Sequence, residues 1–110
     1  MNVAKGTDSR FLTWSAAMDS DAKIGEIIEA CRPLLSKEAL NGIDHWFSHD
    51  EWEIAFEGLV LHLIEADVVP PYFDFDEWCA LGREIGLDKD SVIDGEFWTK
   101  FVTWGRAKCH

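Results

Sequence analysis

Lysine and arginine are missing from 45 consecutive residues of this chain, between Lys37 and Arg83. Eleven carboxylates fall in the same stretch: Glu38, Asp44, Asp50, Glu51, Glu53, Glu57, Glu65, Asp67, Asp74, Asp76 and Glu77. The window therefore carries the whole formal charge of −11, since the ten acids and ten bases of the flanks cancel. Free nucleic acid and anionic membrane surfaces are disfavoured as direct ligands, because binding them needs Lys or Arg to replace phosphate counterions. Solubility alone asks for a net charge of about 2–8 with both signs interspersed. One sign held over so long a stretch instead makes a directed field, which speeds encounter with oppositely charged partners. The expected partner is cationic: a basic protein, a metal ion or a cationic small molecule. The competing reading is a soluble acidic surface with no further role.

Other scarcities narrow the class. No run of about 18 apolar residues exists to span a membrane. The first residues, Met1 to Arg10, lack the continuous apolar segment of a secretory signal, so a cytoplasmic protein is expected. Only three cysteines occur, Cys31, Cys79 and Cys109, widely spaced and without a CxxC, which reads as free thiols in a reducing compartment. Gly-rich phosphate loops, GxSxG and HExxH are absent, so neither enzymatic activity nor a cofactor is expected. What is abundant is apolar: 47% of the 110 residues, six of them Trp. A disordered acidic tail would lack these. The length suits one domain over 1–110, with residues 1–9 a loose start.

Apolar spacing is helical nearly throughout, and no segment alternates with period two long enough to argue a strand. Phe11, Leu12, Trp14 and Met18 suggest a short first helix. Ser20 or Asp21 can cap the next, in which Ile24, Ile27, Ile28 and Cys31 recur until Pro33 stops it. Ser36 caps a third, carrying Leu40, Ile43 and Phe47. Asp50 and Glu53 have capping-box spacing at the head of the longest helix, about residues 51–66. Its apolar residues (Trp52, Ala55, Phe56, Leu59, Val60, Leu63, with Ile54, Leu61 and Ile64) cover most of its circumference, so it is expected at the centre. Glu53, Glu57 and His62 are left as a narrow polar strip. Asp74 and Glu77 again have capping-box spacing, before a helix with Trp78, Leu81 and Ile85 that ends at Gly86. A last helix after Asp94 aligns Phe97, Phe101 and Trp104. The expected fold is all-α, a compact irregular bundle of five to six short helices around the 51–66 helix.

Most chemical candidates fail on spacing. Asp88, Asp90, Asp94 and Gly95 suggest a calcium loop, but Val92 and Ile93 occupy positions that need an oxygen ligand and a glycine. His45, His49 and Glu53 lack the further ligands and geometry of a zinc site. Trp46 and the Tyr72-Phe73-Phe75 cluster stand out because they interleave acids. Aromatic anchors in a charged surface are what binding hot spots look like. Trp46 and Tyr72 are accordingly candidate contact residues, with Asp74, Asp76 and Glu77 beside Tyr72.

The run His45 to Leu59, HWFSHDEWEIAFEGL, resembles a segment of small immunity proteins of bacterial toxin systems, of the Maf-type and contact-dependent-inhibition groups. The similarity covers about residues 36–66 and extends loosely to Trp78. It implies a cytoplasmic protein that binds one cognate toxin domain, often a nuclease, in a 1:1 complex and holds it inactive. The matched acidic positions, Asp50, Glu51, Glu53 and Glu57, become candidate toxin contacts. A nuclease must present Lys and Arg to phosphates, so an acidic inhibitor would match its potential. Two other readings stay open: a nucleic-acid mimic that sequesters a cellular DNA- or RNA-binding protein, and a carboxylate-based metal-binding protein.

Overall fold

The computed structural model describes residues 20–108, and among them every regular element is helical. Helix α1 spans residues 20–31. A 3-10 turn, Arg32–Leu34, follows, then α2 (Lys37–Ser48), α3 (Trp52–Ala66), α4 (Phe75–Glu84) and α5 (Phe97–Lys108). The expected short helix near Phe11 to Met18 and the loose segment 1–9 lie outside the described residues.

Local chemistry accounts for most helix ends. Ser36 caps α2, its side chain accepting from the Ala39 N–H at 3.1 Å. Asp74 caps α4 by accepting from the Glu77 N–H at 3.1 Å. Glu77 does not return that bond; its carboxylate pairs with Lys23 of α1 instead. Two expected caps are corrected. Ser20 and Asp21 are already helical. Asp50 does not open α3: the residue preceding that helix is Glu51, and its side chain makes no capping bond.

Asp50 ends α2 instead. It adopts φ 61°, with its N–H donating to the Phe47 carbonyl and the next N–H, of Glu51, to the Trp46 carbonyl. This is the Schellman arrangement, which normally calls for glycine because a Cβ is unfavourable at positive φ. Asp67 closes α3 in the same way at φ 58°, with Val68 donating to Leu63, and Gly86 closes α4 at φ 88°. Aspartate tolerates this conformation better than most side chains, so two acids of the charged window are structural terminators.

One apolar core joins all five helices. Ile24, Ile28 and Cys31 come from α1, Ile43 from α2, Phe56, Leu59, Val60 and Leu63 from α3, Trp78 from α4, and Phe97 and Phe101 from α5. Phe56 is fully buried and meets Trp78 and Phe101 edge-on at 5.7 and 6.4 Å between ring centroids. The central position expected of α3 is observed, and a helix apolar on so many sides can be satisfied no other way.

Helical glycines bring these elements close. A Cβ on Gly25, Gly58, Gly82 or Gly105 would lie 3.3, 2.7, 2.6 or 2.3 Å from an atom of Phe47, Trp46, Trp98 or Phe75, respectively. Each ring thus packs onto a neighbouring backbone where a side chain would obstruct it.

Candidate functional site

Glu57 decides how the acidic window is divided. It lies in the middle of α3 and is fully buried. Its carboxylate accepts three backbone N–H groups of the α4–α5 connection: Val92 at 2.8 Å on Oε1, and Ile93 at 2.9 Å and Asp94 at 2.8 Å on Oε2. Successive backbone N–H groups turned toward one point form an anion-binding concavity, and here the chain supplies its own anion. The expectation that Glu57 belongs to an exposed polar strip and contacts a toxin is therefore corrected. It is withdrawn from any contact surface because its lone pairs are spent on the loop.

The loop so held is not a flexible turn. Ser91 Oγ donates to the Asp94 carbonyl at 2.6 Å, and Asp94 Oδ1 accepts from the Glu96 N–H at 2.9 Å. Lys100 closes on Asp94 Oδ2 at 2.6 Å, and with the Glu96 bond holds the Asp94 carboxyl below the usual carboxylate range. Inside this frame the loop presents Val92 and Ile93, which are 58% and 46% exposed. Besides Tyr72 they are the only exposed large apolar residues among those described. Sequence reasoning missed them as contact candidates, treating them only as failed calcium positions. The available signal was two apolar residues placed inside an otherwise polar turn.

Trp46 and Ile93 converge over Gly58: from a Cβ placed there, the Trp46 ring would be 2.7 Å away and Ile93 Cδ1 3.5 Å. Trp46 is half-buried, and Asp50, Glu51 and Glu53 beside it are exposed. The α2–α3 turn binds this group together, because the Trp46 carbonyl accepts from both the His49 and Glu51 N–H groups, at 3.1 and 3.0 Å. Glu53, one turn before Glu57, points to solvent. None of these three acids has an ion-pair partner among the described residues. The result is an apolar centre of Trp46, Ile93 and Val92 with an acidic border, the anatomy of a protein-binding patch.

Asp74, Asp76, Glu77 and Tyr72 form a separate group at the start of α4. Tyr72 is fully exposed and sits at φ 62°, an unfavourable conformation for an aromatic residue. Its neighbours in the expected aromatic cluster are not surface anchors. Phe73 packs on Trp78 and Trp104 at 4.8 and 5.6 Å, and Phe75 on Phe101 at 5.7 Å. Asp74 is engaged as the α4 cap and Glu77 by Lys23, which leaves Asp76 and Tyr72 outermost.

The flanks reach into the window elsewhere. Arg32 holds Asp44 through two bonds of 3.0 Å, and Lys108 lies 2.6 Å from Asp67. Three of the eleven acids, Asp44, Asp67 and Glu77, are thus neutralised in space by bases outside the window in sequence. Among the described residues no group of three or more His, Cys, Asp or Glu gathers to hold a metal ion. No helix among them is long and apolar enough to cross a membrane. Burial pushes the Cys31 thiol up to about 12, far from a reactive thiolate. The His45 and His49 rings lie 4.4 Å apart between centroids, tilted by 43°, with His49 Nδ1 2.8 Å from the His45 carbonyl at the end of α2.

No family model, curated protein or solved structure matches this chain.

Proposed function

We propose that the chain is a binding protein of the immunity type, which neutralises a cognate basic toxin domain, a nuclease, in the cytoplasm as a 1:1 complex. The observation that carries this reading is the patch of Trp46, Val92 and Ile93 bordered by Asp50, Glu51 and Glu53. Interfaces of this kind pair a desolvated apolar or aromatic centre with a charged rim that steers encounter. Glu57 contributes indirectly: by fixing the 92–94 backbone it presents Val92 and Ile93 in one conformation, which lowers the ordering cost of association. Tyr72 and Asp76 at the start of α4 are the second acidic contact of the same reading. Burial of Glu57 weakens a reading based on charge alone, while the apolar centre favours a folded partner over simple phosphate mimicry.

The test is coexpression with the toxic domain encoded beside this chain's gene. The unmodified chain should protect the cell. Glu51→Lys with Glu53→Lys should slow association by at least about tenfold at low salt, the range expected for lost steering. Ile93→Asp should instead act on dissociation, as loss of a central contact does. Each variant is checked by its melting curve. Full protection by a folded variant carrying all three changes, with Asp76→Lys added, would reduce the charge to a solubility feature.

A further inference from the structure

The basic residues of this acidic chain are unevenly used. Lys23, Arg32, Lys100 and Lys108 each pair with a carboxylate. Lys37, Lys89, Arg83 and Arg106 have no ion pair among the described residues, and neither of the two arginines donates a hydrogen bond to the protein there. Both line one open groove of about 780 Å³ between α4 and α5, with Thr99 and Thr103 along its wall. The antiparallel packing sets the arrangement: Phe75 lies on Gly105 and Trp98 on Gly82, so Arg106 sits at the start of α4 and Arg83 near its end. Along a helix that offset is about 12 Å. The Arg83 guanidinium carbon lies over the Trp98 ring, 5.8 Å from its centroid, within cation–π range. From residue 97 onward the chain has Lys and Arg but no acid at all.

We propose that the α4–α5 groove is a second binding site, which takes an acidic polypeptide segment and clamps two of its carboxylates between Arg83 and Arg106. Guanidinium edges match carboxylates in bidentate geometry. A span of about 12 Å suits two side chains four residues apart in an extended segment, at about 3.3 Å per residue. The groove is too long and open for a single inorganic anion to touch both ends. Asp76 lines it too, outside ion-pair distance of either arginine, and disfavours acids placed against it. Burial is the main influence on Cys79, which lines the groove, and pushes its thiol up; Asp76 pushes the same way, and Arg83 and Arg106 pull against both. At physiological salt the Debye length is about 8 Å, so the acidic remainder of the surface is largely screened there. This inference does not depend on the toxin reading.

The test is an NMR titration of the full chain with hexaglutamate, with hexaglutamine and inorganic phosphate as parallel probes at constant ionic strength. Hexaglutamate should saturate, with shifts concentrated at the Arg83 and Arg106 Nε–H groups and the Thr99 and Thr103 amides. Arg83→Gln and Arg106→Gln should each weaken it at least about tenfold, the loss expected for a charge-assisted bond. Both side chains are exposed, and an unchanged melting curve verifies that the variants are folded. No saturation below about 1 mM, which is about −4 kcal/mol of binding, would overturn the proposal, as would equal binding by the double variant. Phosphate that saturates with the same shifts at the same concentration would make this a small-anion site instead. Self-association of the unmodified chain that disappears in the double variant would make a second copy the occupant and overturn the assignment.

Discussion

Glu53 and Glu57 are four residues apart on α3, and at the level of residue type nothing separates them. One stands in water and the other carries three backbone N–H bonds in the interior. A bond to a buried charged group is worth roughly 1.5–3 kcal/mol, and a donor left unpaired costs its desolvation as well. Glu57→Gln keeps the shape but replaces one acceptor oxygen with an NH₂ facing N–H donors. It should therefore lower stability by about 2–4 kcal/mol, while Glu53→Gln should change it by less than about 0.5 kcal/mol. Urea unfolding of the two variants checks this, and equal effects would mean that the carboxylate is not what holds the loop. The same residue marks the limit of sequence reading. Its partners lie 35 to 37 positions away and are backbone groups, which leave no trace in residue identity. Asp50 is a similar case: a capping-box match to Glu53 is a pattern of side chains, but the φ of 61° that makes Asp50 a terminator is a property of the chain path.

At the scale of elements, the order of helices, the stop at Pro33, the Ser36 and Asp74 caps and the central place of α3 were legible, because each follows from local chemistry or apolar spacing. The interhelix contacts were less so. They turn on glycines inside helices, where a propensity cost of about 1 kcal/mol relative to alanine is accepted for a close ring contact. Gly58 and Gly42 separate these two terms. A Cβ on Gly58 would meet Trp46 at 2.7 Å, whereas one on Gly42 would meet nothing within 4 Å. Gly42→Ala in α2 should then stabilise by about 0.5–1 kcal/mol. Gly58→Ala should destabilise by about 1–3 kcal/mol through overpacking, after allowing for its helix gain. Thermal unfolding reads both, and Trp46 fluorescence should move only in the second. Opposite signs would show that the α2–α3 contact, and with it the Trp46 position in the candidate patch, is set by the missing side chain at Gly58. Stabilisation by both would separate Trp46 from that role.

For the whole molecule, the linear segregation of charge becomes a spatial one with a different boundary. Lys23, Arg32 and Lys108 neutralise three acids of the window, Glu57 leaves the surface, and α5 contains no acid of its own, unlike the α2–α3 turn. Charge order was readable from the sequence, but which acids remain free depends on bases brought in by packing. The net −11 nevertheless persists, and its self-repulsion opposes the compact state. The ion pairs that offset it are partly exposed, and such pairs are worth about 0–1 kcal/mol each, less in salt. Repulsion summed over the surface should therefore dominate the salt response of folding. Raising NaCl from about 0.05 to 0.5 M shortens the Debye length from about 14 to 4 Å by square-root scaling, and the melting temperature at pH 7 should rise. Association with a basic partner should respond oppositely, slowing over the same range as steering is screened. Calorimetric melts and stopped-flow binding across one salt series measure the two trends. A falling melting temperature would show that the specific ion pairs outweigh the repulsion. Salt-independent association would remove the acidic border from the binding mechanism and leave Trp46, Val92 and Ile93 to account for recognition alone.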